Sequence, residues 1–319
     1  MRSGSSKNDA PDDPISARIC EPELDPPFDV IEPACLSSGV VLSSPHSGRI
    51  YPERFLQSAR LDAASLRRSE DAFVDDLFLG AVRLGCPLLR ARFPRAFLDV
   101  NREPYELDPR MFDGRLPAYA NTRSLRVAGG LGTIARIVGD AHEIYARRLP
   151  VDDALQRIEA LHRPYHAALL RLTNRAVENF GLALLIDCHS MPSSPAVNCT
   201  PSSGWRDDRS KADVVLGDRY GTSCDRAFAD AAEYELKRCG FTVERNKPYA
   251  GGYITEHYGH PGQGRHALQI EINRALYMDE RTLEPTRFFG RVSQHLEEVV
   301  GALAALADRG GSADREAAE

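Results

Sequence analysis

Two histidines in this chain stand directly after apolar runs. His46 lies in Ser44-Pro45-His46-Ser47-Gly48-Arg49, behind Gly39-Val40-Val41-Leu42-Ser43. His189 lies in Asp187-Cys188-His189-Ser190-Met191-Pro192, behind the five apolar residues 182–186. A histidine at the end of a strand presents a ring nitrogen to whatever binds there. Asp187 sits two residues before His189, so it shares that face of an extended chain and can orient the imidazole. Taken singly, His46 also fits a loop histidine bonded to a carbonyl, and Asp187 fits a turn cap. The acidic segment SEDAFVDD (69–76) has the same double character. Ser69 or Asp71 can cap a helix, and early acids suit its dipole. One of these carboxylates can instead complete a site of two histidines and one acid with an open fourth position, the arrangement of hydrolytic zinc. Glu271, in Gln269-Ile270-Glu271-Ile272-Asn273-Arg274, stands on an otherwise apolar alternation. Burying a carboxylate there without a partner costs free energy, which marks it as functional. Beside an activated water it can act as general base and then return the proton to a leaving amine.

Other features point to structure. His162 and His166 are four apart, but His-Arg-Pro-Tyr-His lacks the glutamate of the helical zinc motif. Gly129-Gly130-Leu131-Gly132-Thr133 lacks the Lys-Ser/Thr of a phosphate loop and reads as a flexible loop. Ser47 and Ser190 neighbour histidines, yet there is no G-x-S-x-G elbow, which disfavours a serine hydrolase. His142 and His295 fall in helical stretches and read as ordinary. His257, His260 and His266 lie in or beside a Gly-rich loop suited to substrate contact.

The elements that must position these residues alternate in type. Strands are expected at 39–43, 87–91, 96–100, 182–186, 241–244 and 267–272. Helices are expected at 71–84, 151–180 with a break near Pro164, 224–238 and 285–306. Strands separated by helices imply an α/β fold with a single domain and a mixed, mostly parallel central sheet, whose chemistry sits at the strands' carboxyl ends. Residues 1–27 and 308–319 are polar and aperiodic and read as tails around a domain at 28–307. The 319 residues suffice for a sizeable core, and the 42% hydrophobic and 27% charged content exclude wholesale disorder. A net charge of −6 argues against a nucleic-acid partner. No apolar run reaches the roughly 20 residues of a membrane span, so no membrane partner is expected. Seven irregularly spaced cysteines, with no C-x-x-C, argue for a reduced, cytoplasmic setting.

The chain resembles the N-formylglutamate amidohydrolase family. The resemblance runs from about 29 to 306, through SPHSGRIYP (44–52), EDAFVDDLF (70–78) and FLDVNREPYELDP (97–109). It continues through LLIDCHSMP (184–192), LGDRYGTSCD (216–225), GGYITEHYGHP (251–261) and HALQIEINRALYMDE (266–280). It implies a metal-dependent amidohydrolase with a fold related to zinc carboxypeptidases and aspartoacylases. In that frame His46 and His189 hold one zinc ion, and Glu271 is the base. The carboxypeptidase branch has its acidic ligand three residues after the first histidine, where this chain has Arg49. The acid therefore falls in the EDAFVD segment, with Asp71 favoured over Glu70. The implied substrate is a small N-acyl amino acid. For a substrate with two carboxylates, the bidentate guanidinium fork selects Arg102 first, in catalysis and in binding, then Arg49 and Arg274. Tyr253 is expected to reach substrate from its loop. The runner-up is the same site acting on another N-acyl amino acid or small peptide. A non-catalytic binding protein would have lost the base or a ligand, and all three are present.

Overall fold

The structure, a computed structural model, describes residues 21–139, 141–193 and 212–316, with side chains up to residue 309. Its centre is a seven-stranded sheet. In chain order the strands are β1 (Phe28–Ile31), β2 (Val40–Ser44), β3 (Leu88–Ala91), β4 (Ala183–Met191), β5 (Val214–Gly217), β6 (Val243–Arg245) and β7 (Arg265–Asn273). The spatial order is β1-β3-β2-β4-β7-β5-β6. The inner run β3-β2-β4-β7 is parallel, β1 is antiparallel to β3, and β5 is antiparallel to β7. The fold is thus mixed α/β with a mostly parallel sheet.

The sheet is covered on both faces, which is why its inner strands are apolar almost throughout. On one face Val41, Ala183, Leu185 and Ala267 pack with Tyr165, Ala168, Leu169 and Leu172 of helix α2 (Arg163–Phe180). On the other, Val40, Leu42, Leu184, Ile186, Leu268 and Ile270 meet helix α3 (Arg226–Arg238) and helix α5 (Phe289–Glu316). Helix α4 (Tyr253–Tyr258) packs against β7 and β4, with Ile254 and Tyr258 in the same core as Ala267. Asp225 caps α3 by accepting from the Ala227 N–H, and Lys237 and Arg238 suit its carboxyl end. Helix α2 ends at Gly181, in the left-handed region that a Cβ resists, and β4 starts two residues later.

Four expectations are corrected. Residues 96–100 are not a strand: Ala96, Phe97, Leu98 and Val100 are buried in an irregular segment. The helix at 71–84 is divided into a helical turn at Val74–Leu77 and a 3₁₀ stretch at Leu79–Leu84, because Phe73 takes a positive φ and Asp71 turns inward. The break near Pro164 is instead a wide π turn, Ile158–His162, joining α1 (Val151–Arg157) to α2. It absorbs the hydrogen bond that proline cannot donate. The tails are also shorter than read. Leu24 is fully buried in a 3₁₀ turn at Pro22–Leu24, and helical backbone runs past 308 to Glu316. Residues 1–20 and 317–319 lie outside the described residues.

Candidate active site

The parallel register of β4 and β7 sets Gln269 beside Asp187 and Glu271 beside His189. Side chains two residues apart share a face, so all four point to the same side of the sheet. β2 adds His46 just past its last residue. The turn after His46 needs Gly48, since any Cβ there would collide with the Phe93 carbonyl. The Asp71 N–H donates to the His46 carbonyl at 3.0 Å, which brings the acidic segment onto the strand ends.

His46, Asp71 and His189 converge. Asp71 Oδ2 lies 2.9 Å from His189 Nδ1 and 3.3 Å from His46 Nδ1, and all three residues are buried. Each imidazole is held from behind through Nε2. His46 meets Asp99 Oδ1 at 2.7 Å, and His189 meets Asp187 Oδ2 at 3.0 Å. Asn101 Nδ2 donates to the same Asp187 oxygen at 3.1 Å. Carboxylates behind two histidines fix which nitrogen of each ring faces forward, as at metal sites. His46 Nδ1 is buried without a hydrogen-bond partner among the described residues. A polar atom in that position usually has a partner. Two imidazole nitrogens and a carboxylate oxygen suit a divalent transition metal such as zinc, so the donor set fits the implied ion.

The electrostatics follow the geometry. Burial alone would raise Asp71, but the His189 hydrogen bond and the nearness of both imidazoles hold its carboxyl well below the usual range. Burial opposes charge on His189, yet Asp187 and Asp71 carry it well above the ordinary histidine value. Glu271 moves the other way: burial lifts its carboxyl to about 7 against the pull of His189. Gln269 Nε2 donates to Glu271 Oε1 at 2.9 Å, which fixes the carboxylate plane.

These residues line a cavity of about 520 Å³, in the size range of small-molecule sites. Of the expected substrate residues, Arg102 and Arg274 line it. Arg274 is committed to Asp71 Oδ1 at 3.1 Å and to Ser190 Oγ at 3.1 Å. Arg102 donates to the Leu131 and Asn101 carbonyls. Arg49 and Tyr253 do not line it. Arg49 is half exposed and pairs with Asp76 at 3.4 Å, and Tyr253 stacks on His257. Glu70 is turned away onto Tyr51 and Arg67, which leaves Asp71 as the inward acid. Asp99, Asn101 and Arg95 escaped notice in the sequence. Asp99 and Asn101 alternate with Leu98 and Val100, a pattern that could have flagged them. Arg95 donates to Asp99 Oδ2 at 3.0 Å, and burial notwithstanding, Asp99, Asp71 and Glu271 favour its charge.

Comparison with known proteins supplies the family. The model of N-formylglutamate amidohydrolase matches residues 38–278. The chain belongs to that family. It is 29% identical over 245 residues to an N-formylglutamate deformylase of Pseudomonas putida, covering 76% of this chain and 82% of that one. A second such deformylase, from Pseudomonas aeruginosa, is 28% identical, with 76% and 83% covered. The crystal structure of an N-formylglutamate amidohydrolase from Ralstonia eutropha superposes with a TM-score of 0.82 at 37% identity, over 89% of this chain and 99% of that one. Among the described residues no helix is long and apolar enough to cross a membrane.

Proposed function

We propose that this family member hydrolyses the amide bond of N-formyl-L-glutamate, releasing glutamate and formate, with one zinc ion held by His46, Asp71 and His189. The observation that carries the reading is the convergence of both Nδ1 atoms on Asp71 Oδ2, beside a buried glutamate raised to about 7. The names of the Pseudomonas and Ralstonia relatives support the substrate. Zinc bound there supplies Lewis acidity toward the formyl carbonyl and lowers the pKa of an attacking water. Glu271 takes the water proton as oxygen bonds to the formyl carbon, then hands it to the glutamate nitrogen as the C–N bond breaks. A carboxyl poised near neutrality can do both.

Beside Arg274, which is bonded to Asp71, Arg95 is a second cation whose charge both Asp71 and Glu271 feel. Its Nη1 and Nη2 make no hydrogen bond among the described residues, so they remain available for developing negative charge or a substrate carboxylate. Arg102 donates one terminal nitrogen to Asn101 and sits 3.6 Å from Asp99 through the other, so its part in binding is narrower than the sequence suggested. The volume of the cavity keeps a second reading open, the same chemistry on another N-acyl amino acid or small peptide.

The experiment measures zinc content and formate release from N-formylglutamate together, before and after chelation, with acetyl- and succinyl-glutamate alongside. About one zinc per chain and chelator-sensitive formate release are expected. Full activity in His46→Ala or after chelation would sink the metal assignment. Preference for another acyl group would select the second reading.

A further inference from the structure

The His-Arg-Pro-Tyr-His segment, unused by the chemistry above, lies directly behind it. His162 belongs to the π turn and His166 to the first turns of α2. Their Nε2 atoms reach the irregular segment that carries Asp99 and Asn101. His162 Nε2 lies 2.9 Å from the Arg102 carbonyl oxygen, and His166 Nε2 lies 2.8 Å from that of Val100. A carbonyl only accepts, so both rings carry their proton on Nε2 and donate. Burial pushes both imidazoles below the ordinary histidine range, which keeps them neutral in that form.

The spacing is what gives the contact meaning. Carbonyls of residues 100 and 102 are held from one side, while the side chains of 99 and 101 serve the other. Asp99 holds His46, and Asn101 bonds the Asp187 oxygen that holds His189. Asn101 is itself oriented by the Ile254 N–H, which donates to its Oδ1 at 2.8 Å. Residues 96–100 have no strand neighbour. No strand fixes their depth; the Asp99 N–H donates to the Thr133 carbonyl, Arg157 donates to the Phe97 carbonyl, and the two histidines hold the carbonyls on either side of Asn101.

On the zinc reading above, we infer that His162 and His166 are positioning residues for the metal centre, acting through the carbonyls of Arg102 and Val100 to place Asp99 and Asn101 behind the two metal-binding histidines. Partners one step removed from the ligands typically alter metal affinity by about 10- to 100-fold.

The test compares wild-type protein with His162→Leu, His162→Asn and His162→Gln. Zinc affinity is measured by competition with a chromogenic chelator, melting temperature is recorded beside it, and kcat and KM are determined on the zinc-loaded proteins. Glutamine reaches as far as Nε2 and keeps an N–H donor, whereas asparagine is too short and leucine has no donor. Leucine and asparagine are each expected to weaken zinc binding about tenfold or more and to lower kcat with little change in KM, and glutamine to restore most of both. Asparagine serves where leucine does not fold. Wild-type affinity in the leucine or asparagine variant, or an equal loss with glutamine, would overturn the inference. Wild-type protein that takes up no zinc would overturn the metal reading itself, and this inference with it.

Discussion

Strands β4 and β7 present two faces of opposite character from the same few residues. One face carries Asp187, His189, Gln269 and Glu271. The other carries Ile186, Cys188, Leu268, Ile270 and Ile272, all fully buried against α3 and α5. The period of two lets one stretch of chain hold ionisable groups and close-packed hydrocarbon without either disturbing the other. Even Cys188, next in sequence to His189, belongs to the hydrocarbon side. Burial pushes its thiol far above the ordinary range, so it is not a reactive group. The lesson is a division along and across the strands: one face turns from hydrocarbon packed on α2 to ionisable groups at its carboxyl end, while the other stays hydrocarbon throughout.

The sharpest way to break this division is Glu271→Gln. It keeps the shape and the Gln269 contact region while removing the proton carrier. Formate release should fall by about 10²- to 10⁴-fold with the melting temperature nearly unchanged. A large loss of stability would contradict the separation of faces. One residue away, Ile270→Ala should do the reverse. Denaturant titration should show a loss of about 2–5 kcal/mol, and the folded fraction should retain kcat near that of the parent.

A smaller effect comes from the backing of the site. Burial drives His162 down to about 4, while unfolded histidine titrates near 6.5. Below 6.5 the unfolded chain binds a proton that the folded chain refuses. Stability from this group is therefore complete above 6.5 and declines by about 3 kcal/mol as pH falls toward 4. The neighbouring groups act both ways: Asp99 raises this pKa, whereas Arg163 and His257 lower it. His162→Gln should flatten the acid limb of a stability–pH curve, and an unchanged limb would refute the assignment. The smallest effect is expected of Arg49→Ala. Its exposed pairing with Asp76 contributes at most about 1 kcal/mol, and KM for N-formylglutamate should stay the same.

The sheet was largely legible because its inner strands are apolar runs punctuated by polar termini. His46, His189 and Glu271 stood out for that reason, each a polar residue at the end of, or within, an apolar run. Asp71 could be separated from Glu70 only by family resemblance, because both acids suit the start of a helix and only tertiary contact turns one inward. The segment 96–100 misled. A short apolar run reports burial but not conformation, and its hydrogen bonds go to groups distant in sequence. The Asp99 N–H donates to Thr133, and the carbonyls that follow accept from His162 and His166. Arg49 and Tyr253 stand outside the cavity lining, since a guanidinium or phenol near a motif says nothing of its direction.

Helix α5 has a consequence for the making of the protein. It covers the apolar face of the strands whose other face lines the candidate site, yet it is built from residues 289–316, which follow both strands in sequence. While those residues are still inside the ribosome, β4 and β7 have their chemistry-bearing side chains in sequence but no cover behind them. The hydrocarbon face of a nascent chain in that state is an adhesive surface. The apolar face of β4 and β7 therefore gains its cover only after residues 289–316 have emerged.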